Sequence, residues 1–252
     1  MITLASDFGS PYPAAMKGVV LDACDARLVD VSHDFPRHDV RTAAFWLREI
    51  LPYFPPAVHL VVVDPGVGTD RRALVVRAGE HALVGPDNGV LWPAARRLAA
   101  DGEIEAFRID DADAESATFH GRDVFAPAAA AVHEQGVSSL DRLSPIDDPV
   151  ELRLPEATIG QDSVRGAALV VDDFGNVITN VPGSFLTGRD AVQVGSLQVP
   201  VGKTFDAVEP GERVATVGSH GYVELDVNRG RGDEAFDLEP GDEFTLDGPA
   251  SE

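Results

Sequence analysis

The sequence predicts an α/β N-terminal domain with a mostly parallel sheet, followed by a small C-terminal β-barrel domain. Three observations carry this. Strand-like and helix-like segments alternate over the first part of the chain. His59–Val63 is a continuous apolar run, as expected of a strand buried on both faces. Beyond Pro145 the helical periodicity fades, and short β-like runs are separated by Gly, Pro and Asp. The two domains are placed at residues 1–150 and 151–252.

Ile2–Ser6 reads as the first strand. Pro13–Asp22 follows as a helix with proline near its first turn. Arg27–Ser32 is a second short strand. Val40–Leu51 repeats apolar residues at helical spacing: Ala43, Ala44, Leu47, Ile50 and Leu51. After His59–Val63, two further strands are read at Arg72–Ala78 and His81–Val84, and helices at Val90–Ala99 and Val124–His133. Ser144–Glu156, rich in Pro and Asp, reads as the linker. Short strands then follow at Ala167–Val171, Val177–Asn180, Ala191–Val194, Arg213–Val217, Tyr222–Val227 and Glu243–Leu246.

Composition excludes several classes. With 252 residues, 44% of them apolar, the chain can bury a core. No apolar run reaches the ~18 residues of a membrane span. The N-terminus enters a strand pattern at once, without a basic n-region, so a cytoplasmic protein is expected. Cys24 is the only cysteine and reads as a small buried hydrophobe. The net charge is −22, and Lys17 and Lys203 are the only lysines. Such a surface repels nucleic acid and anionic membranes. The acidic residues are spread along the chain, which predicts a protein adapted to a salty interior, where screening removes self-repulsion.

Polar residues gather where strands end, which is where ligands sit in a parallel sheet. Asp7 closes the first strand, placed either to accept hydrogen bonds from a ligand, such as ribose hydroxyls, or to cap the next helix. Asp64-Pro-Gly-Val-Gly-Thr-Asp-Arg-Arg72 follows the most apolar strand, and Asp64 can pair with Arg71 across the loop. It is neither a P-loop nor a dinucleotide fingerprint. His120 stands beside Gly121, and is either an imidazole with open space that can position or deprotonate a water, or a surface His in a helix-capping cluster. Asp172-Asp-Phe-Gly-Asn176 reads as a hairpin turn in which Phe174, with Phe205 elsewhere, either stacks on a ring or fills the core. The histidines lack metal-site spacing, so no metal is expected, and no Gly-x-Ser-x-Gly elbow is present.

Seven blocks in order carry a resemblance: Ser6-Asp-Phe-Gly9, Met16-Lys-Gly18, Val63-Asp-Pro-Gly-Val-Gly68, Gly85-Pro-Asp-Asn-Gly89, Phe119-His-Gly-Arg-Asp123, Asp173-Phe-Gly-Asn-Val-Ile-Thr-Asn180 and Ser219-His-Gly-Tyr222. Nearly end to end, the chain resembles the S-adenosylmethionine hydrolases (SAM hydroxide adenosyltransferases), relatives of the fluorinase and chlorinase. The resemblance implies hydrolysis of S-adenosylmethionine at ribose C5′, without metal or cofactor. It implies a homotrimer with each site between the N-terminal domain of one subunit and the C-terminal domain of the next. Asp64, Arg71 and His120 match the family's water-activating triad. Asp7 would hold the ribose hydroxyls, Phe174 and Phe205 would flank the adenine, and Asn176 would read its edge. Asp172 and Ser219 would meet the methionine end. Asn228 lies in a segment that often contacts adenine through its backbone.

Two readings compete. In the halogenases, as the family pattern implies, the stretch aligned with Asp64 carries Tyr-Pro-Ala-Thr-Gly or similar, and the fluorinase has Ser where this chain has Gly121. A negative Asp64 would repel a halide and suit water. A non-catalytic adenosine or S-adenosylmethionine sensor would have no need of all three triad residues. The loop after Gly9 (Ser-Pro-Tyr-Pro-Ala-Ala) is shorter than usual and lacks an Asp often present there.

Overall fold

The computed structural model describes residues 1–111 and 118–248. The chain divides into two compact units, Met1–Arg153 and Leu154–Glu252. No described helix is long and apolar enough to cross a membrane.

The first unit contains strands β1 (Ile2–Ser6), β2 (Leu28–Ser32), β3 (Val58–Val62), β4 (Ala73–Ala78), β5 (His81–Pro86), β6 (Ile104–Ile109) and β7 (Leu143–Ile146). Its helices are α1 (Tyr12–Ala23), α2 (Val40–Ile50), α3 (Trp92–Ala99) and α4 (Ala126–Gln135). The sheet order is β2-β1-β3-β5-β4-β6-β7. Every residue of β1 and β3 is buried, including Thr3 and His59, whose side chains bond to each other at 2.8 Å. Met16 and Val20 of α1 and Ala126, Ala129 and Ala130 of α4 pack on one face. Ala43, Ala44 and Leu47 of α2 and Ala94 and Ala95 of α3 pack on the other. Small residues on the helices let them approach the sheet closely.

The sheet is mixed, which corrects the expectation of a mostly parallel one. The pairs β2–β1, β1–β3 and β3–β5 are parallel, whereas β5–β4, β4–β6 and β6–β7 are antiparallel. Only Gly79 and Glu80 separate β4 from β5. A parallel crossover needs about a dozen residues, so this pair can only be a hairpin. β6 carries weak periodicity and escaped the sequence reading. β7 occupies the start of the stretch read as linker. The helix expected from Val124 begins as a π-helical turn, Gly121–Phe125, that runs into α4.

The second unit is antiparallel throughout its named pairs: β8 (Thr158–Ile159), β9 (Ser163–Val171), β10 (Val177–Pro182), β11 (Ala191–Val194), β12 (Leu197–Pro200), β13 (Arg213–Val217), β14 (Tyr222–Val227) and β15 (Glu243–Asp247). A short helix α5 (Gly232–Phe236) follows β14. The order β12-β11-β15-β9-β10-β14-β13 almost closes on itself, with Val201 bridging to Ala215 between its two ends. Near-closure around Val177, Val181, Val192, Val199, Leu225 and Leu246 gives a barrel-like core.

Candidate active site

The chain reverses direction across the sheet at β1. It runs from β1 to β2 on one side, then back to β3 on the other. This is a topological switch point, where the carboxyl ends of β1 and β3 diverge and leave a crevice. Ser6 pairs with Val62, so Asp7 and Asp64 emerge side by side from adjacent parallel strands. Both are buried. They line a cavity of about 490 Å³ together with His120, Gly121, Phe8, Tyr12 and Phe119.

The loop after β3 folds back on itself. Gly66 N–H and Arg71 Nε both donate to Asp64 Oδ1, at 3.2 and 3.1 Å. Thr69 Oγ1 donates to the Gly66 carbonyl at 2.6 Å, and Gly68 holds a φ of +77° that favours glycine. The loop thereby returns the Arg71 side chain to Asp64, and Nη2 meets Oδ2 at 2.5 Å. Nη2 also donates to His120 Nδ1 at 3.1 Å, and Nη1 to the Arg72 carbonyl at 3.0 Å. Four of the five guanidinium N–H groups are thus engaged. Phe125 supports the guanidinium from one face, 5.1 Å from its centroid. The side chains of Arg71 and Asp64 are 7% and 5% exposed, so this is a dry ion pair whose geometry is over-determined.

This arrangement modifies the halide argument. The Asp64 charge is matched by Arg71, so bare repulsion is not what the site offers. Gly121 is also constrained, because a Cβ there would lie 3.0 Å from Met16 Sδ and 3.2 Å from Phe119 Cε2.

Arg72, the neighbour of Arg71, points elsewhere. It pairs with Asp87 at 2.6 Å and Asp148 at 2.8 Å, and Asp87 also accepts the Val150 N–H. Arg72 therefore ties the segment beyond β7 to the sheet. Asp7 does not cap α1, whose N-cap is Pro11 without a side-chain bond. Asp7 Oδ2 accepts the His38 N–H at 2.6 Å. His38, whose N–H makes this contact, takes the left-handed conformation, φ +64°.

The remaining candidates lie in the second unit. Asp172, Phe174 and Asn176 form the β9–β10 hairpin turn. Asp172 Oδ1 accepts the N–H groups of Phe174 and Asn176 at 2.9 Å each, and Oδ2 accepts Asn176 Nδ2 at 3.0 Å. The amide oxygen of Asn176 has no such partner. Phe174 is 79% and Phe205 44% exposed, so neither fills the core. Asn228 follows β14 at the same end of the barrel, with Nδ2 on the Val208 carbonyl at 2.6 Å. Ser219 lies in the β13–β14 turn, at the other end of that hairpin. Beside these strands, Glu224 and Asp226 are buried on one face of β14, and burial pushes both carboxyls up to about 7. The negative charge of Asp172 adds to this. Among the described residues no group of three or more His, Cys, Asp or Glu converges as metal ligands do.

Phe8, Tyr12, Arg37, His38, Val67 and Phe119 also line the cavity without having been assigned to it from sequence. Phe8 and Phe119 sit inside recognised blocks, next to residues that were assigned. His38 and Arg37 gave no signal, because only the fold brings them to Asp7.

The sequence profile of the SAM hydroxide adenosyltransferase N-terminal domain matches residues 2–143, and that of the C-terminal domain matches residues 166–245. The chain belongs to the SAM hydroxide adenosyltransferase family. Within it, the chain is 40% identical over 97% of both chains to an (R)-S-adenosyl-L-methionine hydrolase of Salinispora arenicola. It is 42% identical to an (R)-S-adenosyl-L-methionine hydrolase of Thermus thermophilus, over 94% of this chain and 95% of that one. A crystal structure of an uncharacterized conserved protein from Thermotoga maritima superposes with a TM-score of 0.84 at 32% identity, covering 98% of this chain and 99% of that one. The SAM hydroxide adenosyltransferase profiles thus cover both units described above, and the cavity falls inside the first match.

Proposed function

We propose that this chain hydrolyses S-adenosyl-L-methionine at ribose C5′, releasing adenosine and L-methionine. The observation that carries the reading is the buried Asp64–Arg71–His120 array on the wall of a cavity that also holds Asp7. The chain's similarity to named S-adenosyl-L-methionine hydrolases supports it.

Asp7 receives the ribose hydroxyls on the carboxylate oxygen that His38 leaves free. Ribose held there presents C5′ to the wall formed by His120 and Asp64. Alignment of water and electrophile supplies about 7–11 kcal/mol in favourable cases. Because Arg71 occupies Nδ1, His120 holds the water through Nε2–H. The water oxygen bonds to C5′ as the C5′–S bond breaks. The bonding pair leaves with sulfur, and the sulfonium becomes the neutral thioether of methionine. The attacking water gives up its proton to solvent, which leaves the 5′-hydroxyl of adenosine, while Asp64 stays ionised against Arg71 and holds the guanidinium on His120. No cofactor is needed, since the substrate carries its own leaving group.

Phe174 and Phe205 stack on adenine, Asn176 reads its edge with its amide oxygen, and Asn228 borders the base. Asp172 and Ser219 take the methionine end. The exposure of Phe174 supports a ligand or partner at that surface. A homotrimer completes each site, with the second domain of a neighbouring subunit placed over the cavity. The single, unpaired Cys24 fits a cytoplasmic location.

Incubation with S-adenosylmethionine in high salt, with chloride, fluoride or neither, followed by chromatography, tests the reading. Adenosine plus methionine, independent of halide, is expected. A 5′-halo-5′-deoxyadenosine would make it a halogenase. Adenosine binding without turnover would make it a sensor.

A further inference from the structure

The mechanism accounts for Asp7, Asp64 and His120 but leaves three cavity walls unused. Phe8, Tyr12 and Phe119 all line the cavity. Their rings stand mutually perpendicular. Phe8 and Tyr12 lie 6.1 Å apart at 90°, Phe8 and Phe119 6.4 Å at 89°, and Tyr12 and Phe119 5.5 Å at 82°. Three rings at right angles form a corner.

We propose that the corner of Phe8, Tyr12 and Phe119 selects the positive charge of the substrate's sulfonium, with Tyr12 as the specificity-determining residue. This rests on the hydrolase reading above and names how that site tells S-adenosylmethionine from uncharged thioethers.

A trialkylsulfonium has no N–H or O–H to donate. It is a weakly hydrated cation with its charge spread over carbon, so hydrogen bonds recognise it poorly. Aromatic faces suit it, as they suit quaternary ammonium groups. One face of Phe119 already carries a cation, the Arg122 guanidinium at 5.3 Å, which is itself paired with Asp123 at 2.5 and 2.9 Å. Phe8 and Tyr12 carry none among the described residues. Tyr12 is 54% exposed, buttressed on its sides by the other two rings, and opens α1. Asp7 adds a negative charge to the same cavity, while the Asp64 charge is spent on Arg71. Arg37 also borders the cavity and disfavours a cation near itself, which leaves the aromatic corner as the place for one.

The sulfonium charge disappears as the C5′–S bond breaks. A contact with that charge stabilises bound substrate more than the transition state. Loss of the Tyr12 ring therefore raises KM and does not lower kcat.

The test uses two unreactive probes that share the adenosine and amino-acid ends. Sinefungin carries an amine cation at the sulfonium position, and S-adenosylhomocysteine carries a neutral sulfur there. Their Kd values, and that of adenosine, are measured by calorimetry for the wild type, Tyr12→Leu and Tyr12→Phe. Tyr12→Leu is expected to weaken sinefungin roughly 3- to 30-fold while leaving the other two ligands unchanged. Tyr12→Phe is expected to match the wild type, because the ring face is retained. Unchanged adenosine binding reports that the fold is intact, and Phe8→Leu provides a second variant with the same charge-selective loss. Equal weakening of both probes, no weakening of either, or a wild type that does not prefer sinefungin overturns the proposal. Neither probe reacts, so the result is read independently of turnover. A wild type that discriminates the probes but releases no adenosine from S-adenosylmethionine would defeat the hydrolase reading alone.

Discussion

Nη2 of Arg71 donates to Nδ1 of His120 at 3.1 Å. A guanidinium is always charged and has no acceptor, so the imidazole nitrogen facing it must accept. The neutral ring then carries its proton on Nε2, and this nitrogen has a hydrogen, not a lone pair, to offer a water. His120 is a positioning donor in this arrangement.

That role separates two substitutions. His120→Ala is expected to lower kcat about 10²- to 10³-fold, in line with the loss of one positioned donor, and to keep adenosine binding. His120→Gln can still donate an N–H but takes up no proton near neutral pH, and should recover part of the loss. Kinetics of the two variants side by side decide the matter. Equal loss in both would remove the donor role.

Gly121 has no room for a side chain without displacement. Met16, whose Sδ a Cβ would meet at 3.0 Å, is fully buried. Gly121→Ser should therefore cost about 1–3 kcal/mol of stability, seen as a fall in Tm of several degrees. It should lower turnover by moving Phe119, and should yield no 5′-chloro product. Gain of chlorination would show that Gly121 alone separates water from halide.

Asp226 is fully buried, its Oδ1 has no partner, and Oδ2 accepts from Thr216 Oγ1 at 2.7 Å. Burial raises its pKa, and that of Glu224, to about 7. Folded protein thus keeps protons that the unfolded chain releases above about pH 4. This contribution is complete below the unfolded carboxylate range and is lost as pH rises through about 7. His59, held down to about 3 by burial, and His81, also lowered, contribute the opposite trend up to about pH 6.5, so the decline due to the carboxylates, between about pH 4 and 7, is read by chemical denaturation as a difference between variants. The decline should be shallower in Asp226→Asn, and an equal slope would show that Asp226 does not titrate there.

The net charge of −22 requires screening if the folded state is to tolerate it. We expect unfolding in dilute buffer and a Tm that climbs with KCl. A Tm indifferent to salt would remove the salty-interior reading.

The strands β1 and β3 were legible as short, mostly apolar runs, and α2 because its apolar spacing is helical. The antiparallel half of the first sheet was legible in principle. Two residues between β4 and β5 allow only a hairpin, but the regular alternation of strands and helices overshadowed that local constraint. The strand β6 and the edge strand β7 were not legible, because partly exposed strands lack a strong apolar run. In the site, the pairing of Asp64 with Arg71 was visible as opposite charges across a short loop. Arg71 was read as the partner from its place at the end of that loop, and the resemblance matched the same residue, although Arg72 beside it carries the same charge.

By itself, the sequence determined the two-domain α/β plus β layout, the acidic surface, and the blocks that mark the SAM hydroxide adenosyltransferases, because these are properties of composition and local spacing. Only the tertiary structure decided what depends on distance between remote segments. It brought Asp7 beside Asp64 through the β1–β3 register, set the His120 proton by the approach of Arg71 across 49 residues, and turned Tyr12 and Phe119 into walls of one cavity. Those relations arise from how the sheet is crossed and packed, and no local pattern encodes them.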